Sequence, residues 1–409
     1  MLRDAKIRRV ALMLKAKGAY GRDVITGVSE YVKSAGLVWD LILEEDFRAH
    51  PEAIRSWDGD GVIADFDDPA LVELLAQTRL PVVGVGGTYR RRADYPDGIP
   101  YVATDNAELI HLAYTHLIDM GLQRFALYSL PPTPNHRWAQ ERELAYIDGL
   151  RRDGLEPTIF RGQPTFAPDW NATCSQLVEW LRGLEKPVGV IAVTDSRARQ
   201  LMQACIRDEI AVPEEVAIIG IDDDPLIGIL TPIPISSVAQ GTREMGRQAA
   251  DILHRMFSGR PVSREPAVVA SPGVNSRLSS AHQPLENRYV MRALHFIRRF
   301  LPQDIKVEQV AEKVGVSRTT LDLQFRKQFG HTAHEEILRQ KIALACSLLD
   351  SSDLSCEDVA RRCGFTTNNY LYAVFRRELG CTPVEYRNRA RLHPRPCRPE
   401  EGPHMALPV

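Results

Sequence analysis

The sequence predicts two α/β lobes followed by an all-α region that holds two helix-turn-helix units, and three observations predict it. Short apolar runs alternate with segments of helical period from Ile7 to Asn275, and the runs are continuous, as in parallel strands covered on both faces. From residue 287 onward the strand-like runs stop and the apolar spacing is helical. Charge divides at the same place: the chain carries −2 overall, yet residues 288–391 hold about 18 Lys/Arg against about 12 Asp/Glu, a basic module on an acidic body. A length of 409 residues suits two or three domains, and 44% hydrophobic with 25% charged residues suits a folded chain.

The first lobe opens with the strand 7–14 and a helix from Tyr20 to Lys33, in which Val24, Ile25, Val28, Tyr31 and Val32 share a face. Strands at 39–43, 61–64 and 81–85 follow, separated by helices at 51–57 and 69–77. A second series starts after the strand 101–105. It has helices at 108–120, 138–152, 171–181 and 197–207, with strands at 124–128, 158–160, 189–193 and 216–220. A helix at 241–257 and a last strand at 265–270 complete residues 1–276 as a regulatory domain. The polar residues 277–286 read as a linker, 287–391 as the helical domain, and the Pro-rich 392–409 as a disordered tail.

In the helical domain, Val307, Val310, Ala311 and Val314 form one inner face, Gly315-Val316 a turn, and Ser317 the N-cap of a second helix. The pattern recurs with Val359, Ala360 and Cys363, the break at Gly364, and a helix carrying Tyr370, Leu371, Val374 and Phe375 inward. A helix-turn-helix places its second helix in the major groove of DNA. The groups expected outward are Arg318, Thr319 and Asp322 on the first such helix, and Asn368, Asn369 and Tyr372 on the second. Asn can pair bidentately with adenine. Arg326, Lys327, Arg376 and Arg377 suit phosphates, which position the protein without specifying sequence.

Other classes lack support. No apolar run reaches the roughly 18 to 20 residues of a membrane helix and no signal-type segment opens the chain, so a cytoplasmic protein is expected. Seven scattered cysteines without C-x-x-C pairing read as reduced thiols. Gly84-Val-Gly-Gly87 lacks both G-x-G-x-x-G spacing and a Walker lysine, and reads as a tight turn. Histidines are dispersed and no nucleophile–base set is legible, so no metal, cofactor or catalytic residue is expected and the chain is not read as an enzyme.

The paired units, with Ala311, Gly315, Ser317, Leu321, Phe325 and Phe329 in one and Ala360, Gly364, Phe365, Phe375, Thr382-Pro383 and Tyr386-Arg387 in the other, resemble the DNA-binding domain of AraC/XylS-type regulators. Residues 7–275 resemble instead the sugar-binding core of LacI/GalR-type repressors, a type I periplasmic-binding-protein-like fold. The LacI-type headpiece has no counterpart before Ile7, and a DNA reader at the other end takes its place. Together these resemblances imply a sugar-responsive transcription regulator that binds promoter DNA as a homodimer and acts with RNA polymerase. An activator of D-xylose uptake and catabolism genes is the first expectation; another pentose or small ligand, or repression, is the alternative. Two positions where AraC-type relatives often carry arginine hold Leu323 and Ala373.

Sugar sites combine carboxylates and arginines, for adjacent hydroxyls, with an aromatic face, and in parallel α/β sheets they gather at the C-terminal strand ends. Asp65-Phe66, Asp195 and Asp222 follow strands, and Arg142 sits in a helix with Trp138 one turn before it. By the LacI-type resemblance Arg142, Asp195 and Asp222 match the residues that hold sugar hydroxyls. Each acid alone could equally cap the next helix. Tyr20, Asp23 and Asp46 are weaker candidates on the same strand-end argument.

Overall fold

The computed structural model describes residues 7–43, 54, 57–164, 170–282 and 287–392. From the N-terminus, β1 (Arg8–Met13), α1 (Ala19–Ser34), β2 (Trp39–Leu43), β3 (Gly61–Asp65), α2 (Pro69–Leu75), β4 (Val82–Gly87) and β5 (Tyr101–Thr104) build most of the first lobe. The second takes α3 (Asn106–Asp119), β6 (Phe125–Ser129), α4 (Arg137–Arg152), β7 (Ile159–Arg161), α5 (Trp170–Gly183), β8 (Val188–Ala192), α6 (Asp195–Arg207), β9 (Val216–Ile221), α7 (Pro225–Leu230) and β10 (Ser236–Ala239). The chain then returns to the first lobe as α8 (Thr242–Phe257) and β11 (Ala267–Val269), and ends in the second with β12 (Gly273–Asn275).

The sheet orders are β11-β5-β4-β3-β1-β2, all parallel, and β12-β10-β9-β8-β6-β7, parallel except for β12. Strands such as Val188–Ala192 and Val216–Ile221 are buried at every residue, because helices cover both faces. Three chain crossings therefore join the lobes, at Thr104–Asn106, Ala239–Thr242 and Val269–Gly273. Helix α8 is fixed to the first lobe by backbone contact with α1. A Cβ added to Gly27 would lie 1.9 Å from the Arg243 carbonyl oxygen, and one added to Gly246 would lie 2.1 Å from that of Val24.

Several expectations change here. Gly84-Val-Gly-Gly87 is the C-terminal half of β4 and not a tight turn; the rings of Phe66 and Tyr101 and the amide of Asn106 occupy the space that side chains at Gly84, Gly86 and Gly87 would need. The expected linker is stitched to the second lobe over its first half. Ser236 N–H donates to Ser279 Oγ, which donates to the Ile218 carbonyl, and Ser279 and Ser280 are fully buried. Residues 283–286, the tail after Leu392, and the expected helix 51–57 apart from Ile54 and Trp57 lie outside the described residues.

The C-terminal domain contains α9 (Arg288–Phe300), α10 (Val307–Val314), α11 (Arg318–Phe329), α12 (Ala333–Ser351), α13 (Cys356–Arg362), α14 (Asn368–Leu379) and α15 (Pro383–Leu392). It has two cores, one around Val310, Leu321 and Phe325 and one around Val359, Leu371 and Phe375. Helix α12 enters both, through Ala333 and Ile337 at its start and Ile342, Ala345 and Leu349 beyond. Buried Lys341 braces the join: its ammonium donates to Asp304 at 2.8 Å and to the Gly364 carbonyl. Helix α9 in turn rests on the second lobe. Arg298 donates to Glu214, with side chains only 9% and 3% exposed, and Arg299 lies 3.6 Å from Glu209. In that contact Glu214 Oε2, Arg298 Nε and His295 Nδ1 are buried without a hydrogen-bond partner.

Candidate functional site

The C-terminal ends of the strands converge between the lobes on a cavity of ≈ 170 Å³. From the first lobe Tyr20, Asp65, Asp67 and Gly87 line it; from the second, Trp138, Arg142, Thr194 and Asp222. Its floor is made by two of the three crossings, through Thr104, Asn106 and Gln240.

Arg142 is 3% exposed and is held by three elements at once. Its Nε donates to Asn106 Oδ1 at 2.9 Å, Nη1 to the Val193 carbonyl, and Nη2 to Gln240 Oε1 at 2.9 Å. The guanidinium also lies over the Trp138 ring, 4.8 Å from its centroid. Burial lowers the Arg142 pKa, opposed chiefly by the charge of Asp222 and then by that of Asp67. Gln240 is the hub: its amide nitrogen donates to Asp222, and its oxygen accepts from Arg142 and from Thr104 Oγ1.

Asp222 stands at φ 129° and Asp223 at φ 54°, both unusual for residues with a Cβ, so the turn after β9 needs bracing. Asp195 supplies part of it. One carboxylate oxygen accepts from Ser237 Oγ at 2.6 Å and the other from Asp224 N–H at 2.8 Å. Asp195, expected at the ligand, is not among the cavity-lining residues; its side chain braces the turn that presents Asp222. Phe66 is corrected too, since it is 2% exposed and packs in the first-lobe core beneath Gly84. Asp65, Trp138, Arg142 and Asp222 do line the cavity, as does Tyr20. Asp23 lies outside the lining, 3.5 Å from Thr242 Oγ1, and Asp46 is outside the described residues.

Asp67 was not singled out in the sequence. It accepts from Gly87 N–H at 3.2 Å and from the Tyr89 hydroxyl. Three cavity carboxylates thus face one buried guanidinium. Desolvation pushes Asp65 up to about 8, with Asp67 adding repulsion, and raises Asp67. The same desolvation moves Asp222 to about 6, opposed mainly by Arg142. Such a site is rich in acceptors, holds spare guanidinium N–H donors, has one aromatic face, and carries no nucleophile–base pair aimed at a common point. It is built to hold neighbouring hydroxyls.

On the helical domain, Arg318, Thr319, Arg326 and Lys327 are exposed on α11, and Asn369, Arg376 and Arg377 on α14. Arg318 is engaged by Glu308 at 2.6 Å. Two of the residues expected to contact bases are engaged by neighbours, a third is partly enclosed, and Tyr370, expected inward, is exposed. Asp322 accepts from Ala333 N–H at 3.0 Å and so caps α12. Tyr372 is half-buried and hydrogen-bonded to Cys356. Asn368 is half-buried in the first turn of α14, with its Oδ1 enclosed. Sequence spacing gave their side of the helix but not these local partners.

A polar cavity between two lobes, on a core whose C-terminal module presents two helix-turn-helix units, defines a ligand-responsive, DNA-binding transcription regulator. Comparison with known proteins narrows this. Residues 9–107 match the XylR N-terminal domain, 114–280 a periplasmic binding protein-like domain, and 310–389 a helix-turn-helix domain. The chain is 40% identical over 383 residues to the xylose operon regulatory protein of Escherichia coli K12, covering 94% of this chain and 97% of that one. It is 38% identical to the Haemophilus influenzae protein of the same name, covering 93% and 98%. The solved structure of the xylose-binding transcription activator XylR superposes with a TM-score of 0.84 at 38% identity, covering 94% of this chain and 98% of that one. The chain belongs to the xylose operon regulatory protein family.

Proposed function

We propose that this chain is a cytoplasmic D-xylose sensor that activates genes of xylose uptake and catabolism, and that it is not an enzyme. One observation carries the ligand reading: the floor of the cavity is made by two of the three crossings between lobes, so whatever binds there touches both lobes and two of their joints together. D-xylose has the matching chemistry. Its hydroxyls donate to Asp65, Asp67 and Asp222 and accept from the spare N–H groups of Arg142, while its C–H face lies against Trp138. A ligand that bridges the lobes favours the closed arrangement by the difference in its affinity for closed and open states. Helix α9, docked on the second lobe, carries that bias to the DNA-binding units.

A homodimer would bring four helix-turn-helix units to repeated half-sites, where RNA polymerase is recruited. Isothermal titration against a panel of pentoses tests the ligand assignment: heat with D-xylose is expected, and heat only with a different sugar would sink it. Protection of DNA upstream of xylose genes, with and without the sugar, tests regulation. An unchanged footprint on adding D-xylose would count against the sensor reading.

A further inference from the structure

The outward face of α11 has a hydrophobic residue at its centre. Leu321 and Phe325 are fully buried, and Leu323, on the opposite side of the helix, is 63% exposed, the highest value for a large hydrophobic among the described residues. Thr319 lies one turn before it and Arg326 and Lys327 one turn after, all exposed. The second unit repeats the frame. Ser317 and Thr367 cap the two helices, Leu371 and Phe375 fill the places of Leu321 and Phe325, and Gly330 and Gly380 end them at φ 78° and 66°. In that frame Ala373, also exposed, takes the position of Leu323.

Leu323 has no polar atom with which to bond a base edge or a phosphate. Its neighbours on the same face carry hydroxyl, guanidinium and ammonium groups, so the face as a whole is directed at a polyanion. The thymine C5-methyl is the apolar group that the major groove offers. Resting on the reading of this domain as a DNA binder, we infer that Leu323 is a specificity-determining residue that packs on a thymine methyl. Thr319 and the Arg326–Lys327 pair hold the helix in register to either side. Ala373 has a single methyl and needs a closer helix to make the same contact. The two units therefore read their half-sites unequally, the first with the larger apolar contact.

The test uses the full chain. Duplexes are selected from a randomised library, and each thymine of the selected site is then replaced singly by deoxyuridine, which removes only the methyl. Loss of one buried methyl corresponds to about a four-fold weaker affinity. Wild type is expected to show that loss at one thymine of the half-site read by α11, and Leu323→Ala to be weaker on the thymine site but insensitive to the same replacement. Leu323→Arg should move the preference at that position towards guanine. A flat deoxyuridine scan, or one unaltered in Leu323→Ala, overturns the assignment while leaving DNA binding intact. Unchanged DNA affinity in Leu323→Ala combined with lost activation would place Leu323 against a protein partner and also overturn it. Failure to select any duplex would overturn the DNA-binding reading together with this inference.

Discussion

Two of the buried charge clusters among the described residues are built differently. In the cleft, Arg142 uses Nε, Nη1 and Nη2 on three separate elements, and Gln240 ties it to Asp222 and Thr104. Where α9 meets the second lobe, Arg298 and Glu214 share one contact and leave Arg298 Nε, Glu214 Oε2 and His295 Nδ1 unpartnered. An unpaired buried polar atom costs roughly 1–3 kcal/mol. The cleft is thus a preorganised receptor, whereas the α9 contact is a dock that can release at modest cost. The proposed function gives binding to the first and switching to the second.

Four experiments sharpen or break this contrast. Arg142→Ala should have the largest effect, because it strands Asp222 and Asp67 without their neutralising charge, leaves Asn106 Oδ1 without its donor and takes one of two donors from Gln240 Oε1. We expect sugar binding to vanish in calorimetry and stability to fall by about 3–5 kcal/mol in denaturant titration; retention of binding would refute the receptor assignment. Arg298→Ala should also destabilise by about 3–5 kcal/mol by orphaning Glu214. The double replacement Arg298→Met with Glu214→Leu should restore most of that stability yet uncouple DNA occupancy from sugar. Footprints that still respond to sugar in the double variant would show that α9 is not the conduit.

Gln240→Leu removes the link between Asp222 and Arg142 while keeping the volume. A loss of roughly tenfold in sugar affinity, about 1.4 kcal/mol, is expected in titration with the fold retained; wild-type affinity would exclude Gln240 as hub. The smallest effect concerns pH. Asp65, raised to about 8, is protonated at neutral pH, and hydroxyl donors from a ligand favour its ionised form. Affinity should therefore rise between pH 6 and pH 8.5, with proton release visible as heat that depends on the buffer; a flat profile would remove Asp65 from the contact set. The same shift means that the ligand-free protein keeps this group's contribution to stability below the ordinary carboxylate range and loses it as pH rises towards about 8.

Much of the architecture was legible because the strands are buried on both faces and so read as unbroken apolar runs. The elements that escaped are short or flank turns: α7, β10 and β12 span six, four and three residues, too few for a period to register. The site was legible in part. Strand ends give a position but not the direction of a side chain, so Asp195 and Phe66 were expected in the cavity and are found bracing a turn and filling a core. Asp67 was masked by its run of neighbouring acids. Gln240, Thr104 and Asn106 lie at crossings that only the folded topology brings together. In the helical domain, helical spacing identified most of the outer face but put the exposed Tyr370 on the inner one, and the local partners Ala333 and Cys356 engage Asp322 and Tyr372.

Gln240 directly precedes Gly241, a left-handed residue at φ 78°, and α8 beyond it is fastened to the first lobe through glycine contacts that leave no play. That junction is one of the three crossings between the lobes, so the residue that bridges Arg142 and Asp222 also sits beside a joint of the two lobes. A ligand that bonds to this network therefore acts on a joint between the lobes and not on one lobe alone.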